Sequence, residues 1–453
     1  MSRFNDTIVG PATAPGEAGV GIVRLSGSQA LEISQRFFKP KSKQRPQPWR
    51  MMFGEILEDG RTVDEALWVF MKGPKSYTAE DVVEIQCHGG GLIMKKILEL
   101  CLAEGARLAN PGEFTERAFL NGRIDLTQAE AVGELVHAKT DKALSMVINQ
   151  LKGKLHHRIL ELKTEISWVL ALLGASIDFP EEDVVFAHQK EIREKLESAQ
   201  AGVTQLLSTA KAGQTLQEGF SLVIVGRPNV GKSSLLNGLL NQSRAIVTDI
   251  PGTTRDSISE EFQIQGVPIR LVDTAGLRQT EDQVEKLGIR RSLSELETAD
   301  LMLWVVDSSD PNFELEADLE AVNAPILLVL NKQDLSTTAV ELPERWKHLD
   351  PVSISAHQTE SIERLKEAIF GYITGLIGPL HEESMLTNLR QEQAAQKGLG
   401  SIHQAINALE SGVGEELLSL ELIETLSALG EIVGETTPDE MLGQIFSNFC
   451  IGK

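Results

Sequence analysis

Residues 220–233 read Phe-Ser-Leu-Val-Ile-Val-Gly-Arg-Pro-Asn-Val-Gly-Lys-Ser. The apolar run 220–225 fits a strand buried on both faces, and residues 233–240 (Ser-Ser-Leu-Leu-Asn-Gly-Leu-Leu) open a helix. Between them lies Gly-x-x-x-x-Gly-Lys-Ser. In a strand–loop–helix context this spacing makes a phosphate cradle, because the backbone NH groups of the loop and of the helix N-terminus converge on one β-phosphate. Asn229, Val230, Gly231, Lys232, Ser233 and Ser234 then surround the phosphates, with Lys232 reaching the β- and γ-phosphates and Ser233 ligating Mg²⁺. A glycine turn with a chance lysine is the bland alternative, and the flanking strand and helix argue against it.

Working outward, residues 268–272 (Pro-Ile-Arg-Leu-Val) form a second strand running into Asp273, Thr274, Ala275 and Gly276. Asp273 is expected behind the Mg²⁺ shell and the Gly276 NH at the γ-phosphate. Residues 251–256 (Pro-Gly-Thr-Thr-Arg-Asp) form a switch-like loop that offers a threonine to the metal, with Thr254 preferred over Thr253, although spacing does not separate them. The strand 326–330 delivers Asn331, Lys332, Gln333 and Asp334, and the strand-like 352–354 delivers Ser355 and Ala356. A carboxylate at Asp334 accepts from guanine N1–H and N2–H₂, which adenine lacks, while Ser355-Ala356 fits guanine O6. The nucleotide is therefore GTP, and the cassette is a doubly wound Ras-like P-loop domain.

Many GTPases orient the attacking water with a glutamine directly after Asp-Thr-Ala-Gly. Here that position is Leu277, so the catalytic group comes from elsewhere, with Arg278, Glu281, Asp282 and Glu285 as candidates. Asn229 reads either as a turn-favouring residue or as a carboxamide ligand for a monovalent cation beside the phosphates.

The chain has 453 residues, room for about three domains. Its net charge of −22 is uneven. Residues 1–125 hold 16 Lys+Arg against 16 Asp+Glu, and the remainder holds 27 against 49. Nucleic-acid affinity comes largely from phosphate neutralisation by Lys and Arg, so this chain is not expected to grip RNA without a partner or a local basic patch. Cys87, Cys101 and Cys450 are too few and too uneven in spacing for a disulfide framework or a zinc site. No apolar run approaches a membrane span and no secretory segment opens the chain, so a cytoplasmic protein is expected.

Residues 1–125 mix β-like runs (20–25, 66–70, 82–86) with a helical stretch near 92–103, which reads as a compact α/β domain; residues 39–48 read as an exposed Pro-rich loop. From 127 to 216 apolar residues recur at helical spacing, interrupted by a turn at 178–183, and the texture resumes over 385–436. Either the two helical flanks are separate bundles, or the GTPase cassette is inserted into one; insertion is favoured because neither flank is obviously self-sufficient.

Several segments together resemble the MnmE (TrmE) family of tRNA-modification GTPases. They are residues 5–9 (Asn-Asp-Thr-Ile-Val), 19–27 (Gly-Val-Gly-Ile-Val-Arg-Leu-Ser-Gly), 77–84 (Tyr-Thr-Ala-Glu-Asp-Val-Val-Glu), 111–121 (Pro-Gly-Glu-Phe-Thr-Glu-Arg-Ala-Phe-Leu-Asn), 125–131 (Asp-Leu-Thr-Gln-Ala-Glu-Ala) and the terminal Phe-Cys-Ile-Gly-Lys. The resemblance covers essentially the whole length. It implies an N-terminal tetrahydrofolate-binding and dimerisation domain (1–119), a discontinuous helical domain (120–215 and 380–453) and an inserted GTPase domain (216–379). It also implies a homodimer that joins an FAD-containing partner, MnmG or GidA, in a heterotetramer or larger assembly. That assembly would place a 5-aminomethyl or 5-carboxymethylaminomethyl group on the wobble uridine of tRNA. The carbon would come from 5-formyl- or 5,10-methylene-tetrahydrofolate.

The resemblance further implies a K⁺ site from Asn229, Thr253 and the carbonyls of Thr248 and Ile250, with Mg²⁺ on Ser233 and Thr254. Thr248 then belongs to the GTP site. Glu285 matches the family's water-positioning carboxylate, and Arg278 lies in the same switch. Arg24, Glu84, Arg123 and Lys453 fall on the folate positions, although Arg123 stands where some members have lysine, and a planar fork contacts a ligand differently from an ammonium. Cys450 is read either as a reactive thiol near the folate or as a buried structural cysteine. His88 is read as part of a glycine-rich turn. Competing classes are a ribosome-assembly or RNA-chaperone GTPase without covalent RNA chemistry, and a self-sufficient folate-dependent one-carbon transferase in which GTP only regulates.

Overall fold

The computed structural model describes residues 6–43, 45–178, 184–241, 261–272, 299–314, 324–336, 339–378, 384–412, 414–450 and 452. Two compact units emerge, one from residues 1–136, 150–200 and 394–453, the other from 137–149 and 201–393.

The first unit contains a seven-stranded sheet, ordered β3-β4-β5-β6-β2-β1-β7. Its strands are β1 (Ile8–Pro11), β2 (Ala18–Ser26), β3 (Phe38–Pro40), β4 (Met52–Glu58), β5 (Arg61–Met71), β6 (Val82–Gly89) and β7 (Arg107–Leu108). All pairings are antiparallel except β1 with β7. Helices α1 (Ala30–Phe37) and α2 (Gly91–Ala103) pack on it. The alternation of apolar positions along β2 and β6 sends Val23, Leu25, Val83 and Ile85 into one core with Ile33, Trp68 and Ile97. The expected loop over 39–48 starts later than composition suggested, since Phe38, Lys39 and Pro40 pair with Ile56, Glu55 and Gly54. Proline is tolerated there because β3 is an edge strand.

Beside the sheet, α3 (Glu113–Leu120) carries Arg117, which is fully buried. Its guanidinium meets Asp6 at 2.8 Å, Glu113 at 2.9 Å and Glu80 at 3.2 Å, while Arg107 clamps Asp6 and Glu113 from the surface. Burial alone would raise the carboxyls of Asp6 and Glu113, but the hydrogen bonds and charges of Arg107 and Arg117 outweigh it and hold both below the ordinary range.

The helices of the chain's middle and end are α4 (Leu126–His137), α5 (Asp141–Leu151), α6 (Lys154–Asp178) and α7 (Val184–Glu218). After the cassette come α10 (Leu389–Ser411), α11 (Glu415–Val433) and α12 (Asp439–Ser447). The apolar stripe of α6, with Leu155, Ile159, Leu162, Ile166, Val169 and Leu173 all buried, packs on α11. Ser176 donates to Glu415 at 2.8 Å, Arg193 meets Glu410 at 2.9 Å, and Lys163 pairs with Glu435. Helices before and after the cassette thus share one core, and the helical domain is discontinuous. Its C-terminal α12 packs on α3.

The second unit is built on a six-stranded sheet ordered β13-β12-β11-β8-β10-β9. These are β8 (Phe220–Val225), β9 (Glu261–Ile264), β10 (Val267–Val272), β11 (Leu301–Asp307), β12 (Ile326–Asn331) and β13 (Val352–Ser353). Only the edge strand β9 runs antiparallel. Every residue of β8 is buried, as a strand covered on both faces requires. Helices α8 (Lys232–Asn241) and α9 (Thr359–Ile377) pack together. Strand β8 lies between β10 and β11, so the strand order reverses there and the loop after β8 opens at the carboxyl edge, where doubly wound sheets hold ligands. Among the described residues, no helix is long and apolar enough to cross a membrane.

Candidate functional site

The loop leaving β8 is shaped by two glycines that no other residue replaces. Gly226 has φ of 145° and Gly231 of 97°. A Cβ on Gly226 would lie 2.3 Å from the Val305 carbonyl oxygen, and one on Gly231 2.3 Å from Asn331 Nδ2. The loop is therefore pressed against β11 and β12 and leads into the start of α8, where the helix dipole favours an anion.

Asn331, at the end of β12 and buried, straps the site together. Its Nδ2 donates to the Val230 carbonyl at 2.9 Å, and its Oδ1 accepts from Ala356 N at 3.0 Å. One side chain therefore joins the phosphate loop to the Ser355–Ala356 turn. The next residue, Lys332, sits in the left-handed region (φ 61°), a conformation costing on the order of 1 kcal/mol for a non-glycine residue. Two contacts hold it there: Nζ donates to the Asn229 carbonyl at 2.7 Å and to Asp307 Oδ2 at 2.6 Å. Burial would raise the Asp307 carboxyl, yet bonds from Lys332 and Ser309 keep it below the ordinary value. Asp307 escaped the sequence reading; the available signal was an acid closing the apolar run 301–306.

Lys232 opens α8, and its ammonium donates to the carbonyls of Gly226 at 2.5 Å and Arg227 at 2.8 Å, so it lies over the loop. Ser233 is exposed and Ser234 half-buried at the helix start. Asp334 is exposed in a 3₁₀ turn (Gln333–Leu335), fixed from below by Gln333 N donating to the Ile354 carbonyl at 3.0 Å. Ser355 is buried and its Oγ has no partner among the described residues, a hydroxyl beside the strap that a ligand's polar edge would satisfy. Asn229 has φ of 67°, which asparagine tolerates, so the turn reading accounts for its backbone. Thr248, Ile250, Thr253, Thr254, Asp273, Thr274, Ala275, Gly276, Leu277, Arg278, Glu281, Asp282 and Glu285 lie outside the described residues, as does Lys453.

In the first unit the structure brings together Arg24, Glu84 and Arg123. Antiparallel register places Arg24 of β2 opposite Glu84 of β6, and the side chains meet at 2.8 Å. Arg24 also donates to the Gly452 carbonyl at 3.3 Å, so the C-terminus returns to the sheet. Gly452, with φ of 100°, would drive a Cβ to 1.8 Å from the Pro11 carbonyl oxygen, so no side chain fits there. The Arg24 guanidinium lies 5.4 Å from the Tyr77 ring and 5.7 Å from the Phe114 ring; that of Arg123 lies 5.1 Å from the same Tyr77 ring. Arg123 also donates to the Tyr77 carbonyl at 2.7 Å, and Tyr77 Oη bonds Thr115 Oγ1 at 2.8 Å.

The result is two cations and a carboxylate around aromatic rings, suited to a planar heterocycle carrying an acidic tail. Tyr77 and Phe114 were not singled out as site residues, because nothing local marks an aromatic residue as a platform. Cys450 is exposed, which removes the buried-cysteine reading, and its carbonyl accepts from Gly112 N at 3.5 Å. Cys87 and Cys101 are buried; burial, then the Asp64 charge, pushes the Cys87 thiol up to about 11. His88 bonds Asp64 through both its backbone N (2.8 Å) and its Nδ1 (2.7 Å), a strand-end contact.

Residues 7–123 match the family model "GTP-binding protein TrmE N-terminus", and residues 126–450 match "MnmE helical domain". Among curated proteins, the tRNA modification GTPase MnmE of Streptococcus thermophilus is 44% identical over 100% of both chains. Those of Geobacter sulfurreducens (46%) and Syntrophotalea carbinolica (45%) cover 99% of both. The solved FeoB G-domain of Methanococcus jannaschii aligns with 34% of this chain and 97% of its own, at 27% identity and a TM-score of 0.27. Full-length identity at this level, together with matches to both family models, shows that this chain belongs to the MnmE family of tRNA modification GTPases.

Proposed function

We propose that the protein is a K⁺-dependent GTPase that works with an FAD-containing partner of the MnmG/GidA type, as a homodimer within a larger assembly. On this reading it installs a 5-aminomethyl or 5-carboxymethylaminomethyl group on the wobble uridine of tRNA. One observation carries the reading: a single chain holds both the Asn331-strapped phosphate loop and the Arg24–Glu84–Arg123 cluster on Tyr77. A switch that only assembled ribosomes would have no use for the second.

At the nucleotide site, Lys232 would release its loop carbonyls to neutralise the β- and γ-phosphates, and the strapped loop would present its NH groups without reorganising. Asp334 would select guanine. Ser233 with Thr254 would hold Mg²⁺, and Asn229 with Thr248, Ile250 and Thr253 would hold K⁺. These ions would supply positive charge where it develops during phosphoryl transfer. Leu277 cannot orient water, so Glu285 takes that role, with Arg278 of the same switch segment as the second candidate.

At the N-terminal cluster, Glu84 and Arg24 offer an acceptor and a donor for a pterin edge, Tyr77 and Phe114 offer faces, and Arg123 with Lys453 the cations for a glutamyl carboxylate. Tetrahydrofolate, when bound, would supply the one-carbon unit. The residues present fit it, since the donor–acceptor pair and the aromatic walls already meet. Cys450, exposed and two residues before Gly452, would be the reactive thiol of this site.

The test is wobble-uridine modification by the purified chain with folate, GTP and K⁺, with the flavoprotein present or omitted. Product only in the complete mixture is expected. Product without the flavoprotein would favour a self-sufficient transferase, and none with a competent partner would favour a switch without covalent chemistry. Glu285→Ala is expected to abolish hydrolysis while GTP still binds; unchanged turnover would transfer the role to Arg278 or another group.

A further inference from the structure

Below Arg123 lies an open cleft of about 420 Å³ that the reading above does not use. Three segments of the first unit line it: 119–128, 152–157 and 433–435. We propose that this cleft receives a poly-γ-glutamyl tail, so that the folate used by the protein is a polyglutamate. The proposal rests on the folate reading of the Arg24–Glu84–Arg123 cluster and specifies the form of that ligand.

Arg123 belongs to both places. Its guanidinium lies against Tyr77, where the Arg24 guanidinium also lies, and it lines the cleft. A ligand whose ring system occupies the Arg24–Glu84 end therefore directs its acidic end past Arg123 into the cleft.

The cleft is built for negative charge within an acidic chain. Arg123, Lys152, His156 and His157 all line it, and α6, whose N-terminal end carries the positive end of the helix dipole, begins beside it at Lys154. Its two carboxylates are already engaged. Asp125 caps α4, accepting from Thr127 N at 2.8 Å and Gln128 N at 3.1 Å, and its other oxygen lies 3.3 Å from His156 Nδ1. Glu435 is held by Lys163. His157 donates from Nδ1 to the Gly153 carbonyl at 2.6 Å, which fixes its ring. Among the described residues, neither Arg123 nor Lys152 has a carboxylate partner, and both are exposed.

The walls are firm. Gln128 Nε2 donates to the Leu151 carbonyl at 2.9 Å, and Gly434 (φ 90°) sits so close that a Cβ would come within 2.7 Å of Leu126 and Phe119. Cations that lack a carboxylate partner among the described residues, on a fixed wall, suit a flexible chain bearing several carboxylates; a monoglutamate, with its carboxylates spent at Arg123, would leave Lys152 unused.

Calorimetric titration of the full chain with 5-formyltetrahydrofolate as the mono- and the triglutamate tests this. The triglutamate is expected to bind about three- to tenfold tighter, an advantage that shrinks as salt rises. Lys152→Ala should bring the two affinities within about twofold, and Lys152→Glu should make the monoglutamate the tighter ligand. Both changes are at an exposed position, and unchanged melting temperature would report an intact fold.

Equal affinities in the wild type, or an advantage surviving Lys152→Glu, overturns the proposal while leaving folate binding itself intact. Failure of both ligands to bind would instead remove the folate reading, and this inference with it. Weakened tRNA binding by Lys152→Glu with the folate preference unchanged would assign the cleft to RNA phosphate and overturn the proposal too.

Discussion

The phosphate loop and the Arg24 cluster, each proposed to hold an anionic ligand, are written into the chain in opposite ways. The loop is eight consecutive residues whose backbone does much of the binding; beyond the side chains of Lys232 and Ser233 its requirements are negative, no Cβ at Gly226 or Gly231. The cluster is made of side chains from positions 24, 77, 84, 114 and 123 and a backbone carbonyl at 452, brought together by strand register and a returning C-terminus. A backbone site tolerates change in most of its side chains and fails when its few special torsions are lost. A side-chain site keeps its fold after substitution but loses its ligand one contact at a time.

That contrast can be broken or sharpened experimentally. The largest effect is expected at the guanine end: Asp334→Asn should move nucleotide preference from guanosine to xanthosine by a factor of about 10⁴, read from competition binding. Retained GTP preference would overturn the pocket.

Next is the buried Arg117. Replacement by Met leaves the buried Glu80 without its cation and Asp6 and Glu113 with Arg107 alone, and should cost about 3–5 kcal/mol of stability in denaturant unfolding. A loss under 1 kcal/mol would mean that the network contributes little. Smaller again, Arg24→Ala should weaken folate binding about 10- to 100-fold by removing charge-assisted bonds, with GTP affinity unchanged. If both ligands weakened together, the two sites would not be independent.

The smallest is a pH effect. Asp6 and Glu113 titrate below their ordinary values of 3.8 and 4.5 in the folded chain, so the stability they contribute is fully present above those values. It is lost as pH falls through the lower, folded values. Unfolding followed from pH 7 to pH 3 should show a decline confined to the acid end, and Glu113→Gln should flatten it.

Much of the fold was legible because its signals are local. The strand at 220–225, the helix opening at 233, the strands at 268–272 and 326–330 and the helical stripe of α6 all carry their periodicity in consecutive residues. Strand β11, with the Asp307 that ends it, was not picked out, nor was β4, whose role is set by its neighbours in the sheet. The Asn331 strap was read as part of a guanine motif, but its second function, tying the phosphate loop to the Ala356 turn, exists only where β12 passes the loop. The cleft beneath Arg123 had no sequence signal, because Lys152 and His157 belong to one helix junction, Asp125 to another and Glu435 to a third.

By itself, then, the amino-acid sequence determined the nucleotide chemistry, since phosphate and guanine recognition depend on backbone torsions and on short runs whose spacing is covalent. Tertiary structure alone decided where Arg24, Glu84, Arg123 and the near-terminal Gly452 come together, how the helical segments on both sides of the cassette join in one core, and which cations lack a carboxylate partner among the described residues. Those outcomes depend on strand register and helix packing between residues 60 to 428 positions apart, and no local pattern in a chain encodes a distance of that kind.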